Sequence, residues 1–176
     1  FVLDVRNVRV EVVDMLHFLM SMFQVIGEPE IRETLLPGRP AGFPEYLDLL
    51  RSDHEQRLRE PIPADPGADI MNRLLVLHCL HAVVETGRLL DRVQWKWWAR
   101  QGNRWDEVRE DLYEALFPRW CLLVLSSGMD GGSVVDLYMK KNKLNFDRQE
   151  GGYKEGSYRK KDEEGHEDNE KLFSAK

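Results

Sequence analysis

The fold class of this chain is decided by residues 7–26, which read NVRVEVVDMLHFLMSMFQVI. Apolar side chains occupy most of the helical circumference, which predicts a helix buried in the core. The polar residues recur every three or four positions, and at roughly 100° per residue they share one stripe. They are Glu11, Asp14, His17, Ser21 and Gln24. A buried helix with one polar stripe is typical of a helical bundle whose interior holds a polar site.

The rest of the chain predicts more helices around this one. Seven of the eight prolines lie in residues 29–68, which therefore predict an irregular connection with one short helix at about 45–59. Longer helices are predicted at about 69–98, 105–125 and 133–148. Pro118 is expected to kink or split the second of these. We expect one all-α domain over residues 1–176, built as a helical bundle.

Composition argues against several functional classes. The formal net charge of −6 disfavours general nucleic-acid binding, which needs many basic residues to neutralise phosphates. The sequence has no run of about 18 apolar residues and no secretory signal, so we expect no membrane span and a cytoplasmic location. Cys79 and Cys121 lie in apolar contexts without metal-like spacing, and we expect both to be reduced, buried thiols.

Positive charge is concentrated in residues 140–169, KKNKLNFDRQEGGYKEGSYRKKDEEGHEDN. Residues 140–161 contain six Lys and two Arg against three acidic residues, in a chain whose net charge is −6. One face of the predicted helix carries Lys141, Asn142, Asn145, Arg148 and Gln149. On such a face Lys and Arg can clamp phosphates and Asn can pair with a base edge, whereas the alternative is a solvated charged face. The glycine-rich residues 151–158 would add free backbone N–H groups and a closing loop, which favours a small polyphosphate ligand.

Two acidic positions are candidates for metal chemistry. Glu11 and Asp14 stand at i and i+3 on one helical face, and hard oxygen ligands suit Mg²⁺, although a solvated acidic face is the alternative. His17 on the same stripe is a metal ligand, a nucleoside contact or a satisfied core histidine. Glu85, on the next long helix, either faces the first helix or forms an i, i+3 ion pair with Arg88.

Two segments resemble the dimeric, all-α dUTP pyrophosphatases, which belong with the MazG-like nucleotide pyrophosphatases. VRVEVVDMLHF, residues 8–18, is similar to that family's carboxylate-x-x-carboxylate helix followed by His-Phe. KNKLNFDRQEGGYKEGSYRKK, residues 141–161, together with EDN at 167–169, is similar to the family's C-terminal phosphate-binding segment. The two segments cover about a fifth of the chain, and the second is highly specific.

This resemblance implies a homodimer with the fold of the all-α NTP pyrophosphatases that hydrolyses dUTP, and also dUDP, to dUMP with Mg²⁺. It implies that Glu11 and Asp14 are Mg²⁺ ligands. The phosphate contacts that it implies are Lys141, Arg148, Tyr153 and Lys160. The nucleoside contacts that it implies are His17, Phe18, Asn142 and Asn145, with His17 or Phe18 near the sugar.

One part of the family's pattern is missing. The family has uracil-reading Gln and Asn residues and a Glu-x-x-Glu motif with Trp-Lys-Trp-Trp before the carboxylate helix, so we expect such helices upstream of Phe1. A similar run, ETGRLLDRVQWKWW, stands at residues 85–98, with Arg88 where the second Glu is expected. Glu85 is therefore a catalytic candidate that either faces Glu11 and Asp14 or belongs to a decayed copy with a structural role.

Two alternatives to dUTP hydrolysis stay open at this stage. The chain is a pyrophosphatase for another nucleotide, such as dCTP, or it is a catalytically impaired relative that binds nucleotide and has a regulatory role. Pyrophosphate release measured with a panel of triphosphates distinguishes the first alternative from dUTP hydrolysis. Nucleotide binding without turnover identifies the second.

Overall fold

The computed structural model describes residues 3–26, 42–58, 61–63, 67–94, 98, 102–161, 165 and 167–173. Within these ranges the chain is predominantly helical and has no strand, and Lys161 and Glu167 form an isolated bridge. The helices are α1 (Val5–Val25), α2 (Phe43–Leu58), α3 (Ala68–Arg92), α4 (Trp105–Glu110), α5 (Phe117–Ser126) and α6 (Gly131–Glu150). A π-helical segment, Asp111–Leu116, joins α4 to α5, and a 3₁₀ helix spans Asp168–Phe173. The predicted all-α fold is confirmed.

Helix α1 begins where the sequence supplies a cap. The side chain of Asp4 accepts a hydrogen bond of 3.1 Å from the backbone N–H of Asn7, which satisfies one of the free donors at the helix start. The inward face buries Val10, Val12, Val13, Leu19 and Phe23. The prediction that this helix is buried holds for its other apolar residues, which lie in or against the core, but Phe18 and Val25 are 73% and 72% exposed. They lie on the outward face that Glu11 shares.

Helix α5 lies at the centre of the molecule. It packs against α1, α2 and α3, and each of its residues from Trp120 to Ser126 is buried. The indole Nε1 of Trp120 donates a hydrogen bond of 2.8 Å to the carbonyl oxygen of Val12, which fixes α1 on α5. A single apolar core takes residues from each of these helices, from the π segment and from the 3₁₀ helix.

Pro118, which was expected to kink or split its helix, follows the π-helical segment. This proline lacks an N–H, and its ring crowds the carbonyl of the residue four positions earlier, which is Glu114. Glu114 lies in the wider π-helical turn of Asp111–Leu116, so the chain accommodates Pro118 with an expanded turn rather than with a break.

Helix α3 ends earlier than predicted. The prediction extended to residue 98, but Val93 is already extended. The last carbonyl groups bond to Arg104 instead, which donates from its backbone N–H to Arg92 at 2.9 Å and from Nη2 to Asp91 at 2.7 Å. The tryptophans at 95 and 97 lie outside the described residues.

Two further expectations concern burial. Cys121 is buried, and burial raises the pKa of its thiol well above the usual value. Cys79 is exposed, contrary to prediction, because it lies on the outward side of α3. Across the residues that the structure describes, no helix combines the length and apolarity that a membrane crossing requires.

Candidate functional site

The two segments that resemble the pyrophosphatases lie against each other. Helices α1 and α6 are in contact, and the Nζ of Lys141 on α6 is 3.0 Å from Oδ2 of Asp14 on α1. The same ammonium donates to Oδ1 of Asn169 at 3.2 Å. Lys141 is only 3% exposed, and a buried ammonium requires such partners. Three parts of the chain that are distant in sequence therefore meet at one side chain.

A second cation, Arg148, is tied to the end of the chain. Its Nε and Nη2 bind the two carboxylate oxygens of Asp168 at 2.9 and 2.6 Å, and the hydroxyl of Tyr158 donates to the same carboxylate at 2.6 Å. Burial by itself raises the pKa of Asp168, but the hydrogen bonds from Arg148 and Tyr158 outweigh it and hold that pKa below its usual value. The pair is charge-assisted and bidentate, the strongest form of this contact.

The remaining donors of Arg148 are also engaged. Nη2 donates to Oδ1 of Asn169 at 3.0 Å, and Nη1 donates to Oδ1 of Asn145 at 3.3 Å. Arg148 and Asn145 thus hold each other and the 3₁₀ helix. The phosphate contact of Arg148 and the nucleoside contact of Asn145 stay predictions, and both require that these hydrogen bonds be exchanged for bonds to a ligand.

The glycine-rich turn after α6 presents cations to solvent. Gly152 and Gly156 have φ values of +85° and +75°, which favour glycine. The Nζ of Lys160 lies 5.3 Å from the ring centroid of Tyr153, within the range of a cation–π contact. The exposed cations that form no ion pair with the described residues include Lys154, Arg159 and Lys160.

Most backbone N–H groups of this turn are not free, contrary to expectation. The N–H groups that donate to backbone carbonyl oxygens are those of Gly151, Gly152, Tyr153, Gly156, Ser157 and Tyr158. Because these donors are already satisfied within the turn, side-chain cations are the groups that an incoming phosphate would meet first.

The predicted nucleoside contacts occupy α1 and α6. The ring of His17 lies 4.4 Å from that of Tyr138, and its Nδ1 is 3.3 Å from the carbonyl oxygen of Val13. Its Nε2 is buried and has no hydrogen-bond partner among the described residues. Phe18 is exposed beside it, and Asn142 is half-buried on α6.

The carboxylates of α1 offer an incomplete metal site. Glu11 is exposed, and the Asp14 side chain is 32% exposed beside Lys141. No group of three or more His, Cys, Asp or Glu residues in the described part of the chain is placed to hold a metal ion. Mg²⁺ commonly binds through one or two carboxylates plus substrate phosphates, so Glu11 and Asp14 fit that mode rather than a protein-only site.

Glu85 lies in a different part of the molecule. Both of its carboxylate oxygens accept hydrogen bonds from Nη1 of Arg88, at 3.1 and 3.0 Å, which is the i, i+3 ion pair weighed above. It lines a cavity between α2, α3, the π segment and α5. The structure does not bring Glu85 together with Glu11 and Asp14, and its catalytic role stays a prediction.

The chain matches no protein-family model, no curated protein and no solved structure. The resemblance to the dimeric dUTP pyrophosphatases rests on the residues of the two segments. The contact between the two segments does not test this resemblance, which stays a prediction.

A histidine cluster that sequence reasoning missed lies beside the cavity that Glu85 lines. The cavity has a volume of about 470 Å³, and His54 and His81 line it. The rings of His54 and His78 lie 5.1 Å apart, and none of their four ring nitrogens has a hydrogen-bond partner among the described residues. Burial, and then the nearby His54 and Arg119, lower the pKa of His78 to about 4. The only signal in the sequence was the His-x-x-His spacing of residues 78 and 81 on a predicted helix.

Proposed function

We propose that this protein hydrolyses deoxyuridine polyphosphates, dUTP and also dUDP, to dUMP in the presence of Mg²⁺. The observation that carries the proposal is the 3.0 Å contact between Lys141 and Asp14. It joins the helix that carries the candidate metal carboxylates to the helix that leads into the cationic turn. A nucleotide bound along α6 would have its phosphates near both.

In this proposal the basic residues and the carboxylates of the site have different roles. Lys154, Arg159 and Lys160 are exposed and unpaired with described acidic residues, so they would attract and neutralise the phosphates of the substrate. Lys141 holds the Asp14 carboxylate of α1. Mg²⁺, when bound by Glu11 and Asp14 together with the phosphates, would neutralise charge and acidify a water molecule.

The sugar and base would lie toward the centre of α1. Phe18 is 73% exposed and presents a flat apolar ring, and His17 beside it has a buried, unpartnered Nε2. A ring for stacking next to a polar nitrogen suits a deoxynucleoside, which has an apolar face and polar edges. Asn142 on α6 would add an amide that can donate and accept.

The test is Mg²⁺-dependent release of pyrophosphate from dUTP by the purified chain, within a panel that includes dCTP, dTTP and UTP. Glu11→Gln and Asp14→Asn should each lower turnover by at least about a hundredfold while the far-UV circular dichroism is unchanged. Asp14→Asn should also lower the free energy of unfolding, because it removes the charged partner of the buried Lys141, so its turnover is compared under conditions in which the variant is folded. Glu110→Gln and Asp136→Asn, which change exposed acids elsewhere, are the matched controls. Unchanged turnover in both α1 variants would sink the metal assignment, and equal rates for all triphosphates would remove the uracil preference.

A nucleotide-binding protein without turnover is the second candidate. The observation that favours it is that no third carboxylate joins Glu11 and Asp14 among the described residues, and that Arg88 occupies the position of a second Glu. Calorimetric titration with dUTP distinguishes the two. Binding without Mg²⁺-dependent product release would select the second candidate, and dCTP turnover without dUTP turnover would select a pyrophosphatase for a different base.

The same resemblance leads us to expect a homodimer. It does not say which surface the two copies share, and the catalytic proposal does not depend on the answer.

A further inference from the structure

The cavity between α2, α3, the π segment and α5 is separate from the candidate nucleotide site. Its volume is about 470 Å³, and none of the described residues that line it belongs to α1 or α6. Clefts that hold small molecules have volumes of about 300–1,000 Å³, with apolar walls and a few polar groups that fix the orientation of the ligand. This cavity has that size, and both kinds of wall are present in it.

His54, on α2, lines the cavity and is almost fully buried. It is 5% exposed, and neither of its ring nitrogens has a hydrogen-bond partner among the described residues. His78 packs against it and is equally without such partners. A neutral imidazole has one N–H donor and one acceptor nitrogen, and buried groups of this kind are normally paired. His54 therefore offers a donor and an acceptor to a molecule in the cavity.

Arg119, on α5, brings a positive charge to the same cavity. It is half-buried and forms no ion pair or hydrogen bond with the residues that the structure describes. The fork of N–H donors on a guanidinium fits a carboxylate or a phosphate. His81, on α3, also lines the cavity, and its Nδ1 is buried without a hydrogen-bond partner in the described ranges. Three helices thus each contribute one polar group with unused hydrogen-bonding capacity.

The carboxylates at this cavity do not neutralise Arg119. Asp53 and Glu85 each form an ion pair with an arginine of their own helix, at 2.8 and 3.0 Å. Glu114 is exposed, so solvent screens its charge. In the described part of the chain no three His, Cys, Asp or Glu residues are placed to hold a metal ion. An anion therefore fits the cavity better than a metal ion does.

We propose that this cavity binds a small organic anion, with the acid group of the ligand on Arg119 and its apolar body against α2 and α5. A carboxylate or a phosphate would accept two hydrogen bonds from the guanidinium. Leu50 and Leu122 supply the apolar wall. The free ring nitrogens of His54 and His81 would bond to the remaining polar groups of the ligand. Because the candidate nucleotide site shares no residue with this cavity, the ligand is a second molecule and not the substrate.

The first test follows the imidazole resonances of the full chain by NMR during titration with benzoate and, separately, with phenyl phosphate. We expect a saturable shift of the His54 and His81 resonances. A response to benzoate alone identifies the ligand as a carboxylate, and a response to phenyl phosphate alone identifies it as a phosphate monoester. No saturable shift at these two histidines with either probe, or a shift at His17 alone, overturns the proposal.

Arg119→Gln tests the contact with the acid group. It should weaken binding of the probe by about tenfold or more. The free energy of unfolding should not fall, because the substitution leaves no described residue without its partner. Arg51→Gln is the matched control, since Arg51 is also a half-buried arginine but does not line the cavity. Equal affinity of the wild type and Arg119→Gln for the probe overturns the proposal.

His54→Leu separates binding by His54 from a structural role. Leucine leaves no buried nitrogen unpaired at this position, so without a probe the melting temperature should equal or exceed that of the wild type. The His81 resonances of this variant should no longer respond at probe concentrations that saturate the wild type. An unchanged response, or a lower melting temperature without a probe, overturns the role of His54.

Neither test measures turnover of a nucleotide. A protein that binds the probe in the cavity but does not hydrolyse dUTP counts against the proposed function alone. A protein that hydrolyses dUTP but shows no response at His54 and His81 counts against the cavity site alone.

Discussion

Lys141 and Arg148 were both expected to hold phosphates, and both are partly committed inside the protein. Lys141 pairs with Asp14, and Arg148 grips Asp168 with two hydrogen bonds. The cost of burying these cations is offset by their partners, which leaves the exposed cations of the glycine-rich turn to meet a ligand. The spacing along the helix predicts that these two side chains share one face. It does not predict that carboxylates of the same chain, Asp14 and Asp168, pair with them.

Asp168→Asn should destabilise the fold. It leaves the largely buried guanidinium of Arg148 without its charged partner, and we expect a loss of about 3 kcal/mol in the free energy of unfolding at pH 7, measured with urea. Because the fold lowers the pKa of Asp168, this contribution is complete above the unfolded carboxyl pKa of about 4 and is lost as the pH falls further. Asp136→Asn, at an exposed position on α6, is the control. Equal stability of the two variants at pH 7 would show that the pair contributes nothing.

His78 should make the fold sensitive to mild acid. Its pKa falls from 6.5 to about 4 in the folded protein, so the unfolded chain binds a proton first as the pH is lowered. The stability that depends on neutral His78 is therefore complete above about pH 6.5 and is lost between that pH and 4, by about 2 kcal/mol at pH 5. Between pH 7 and pH 5 the wild type should therefore lose about 2 kcal/mol more of its free energy of unfolding than His78→Gln. His17→Gln controls for removal of a histidine outside the cavity, and parallel pH dependence in all three proteins would contradict the assignment.

At the scale of elements, periodic residues in the sequence predict where helices form. They do not predict a helix end or a helix–helix contact that depends on residues elsewhere in the chain. The existence of α1, α3, α5 and α6 follows from periodic apolar residues and helix signals. The end of α3 does not, because Arg104, twelve residues downstream, binds its last carbonyl groups. The contact of Lys141 with Asp14 was likewise invisible in either segment alone. It depends on the packing of α1 against α6, which no local pattern encodes.

The start of α6 should tolerate substitution at one glycine and not at the next. A Cβ on Gly131 would lie 3.1 Å from Cγ of Pro44 on α2, whereas a Cβ on Gly132 would come no closer than 3.6 Å to Asp130. We expect Gly131→Ala to lose about 1–3 kcal/mol by overpacking. Gly132→Ala should be neutral or more stable by up to about 1 kcal/mol. Thermal unfolding of both variants checks this, and equal melting temperatures would mean that α2 moves away at no cost.

For the whole molecule, Gly87→Ala should raise the free energy of unfolding. The added methyl group meets no atom within 4 Å, so it should stabilise α3 by about 0.5–1 kcal/mol. Urea unfolding measures the effect, and Gly131→Ala, which should lose stability, is the contrasting variant. A loss of stability in Gly87→Ala would contradict this prediction.

The ion pair between Arg148 and Asp168 closes a loop of the chain. It joins residues twenty positions apart, so the glycine-rich turn is part of a loop whose two ends are pinned to α6. The conformational entropy that closing this loop costs is lost when the protein folds, whether or not a ligand is present. The loop is also held near its second end, because Tyr158 donates to Asp168 and the backbone N–H of Asp168 donates to Lys160. Its tip, near Lys154 and Glu155, is the place where added residues would disturb the fold least.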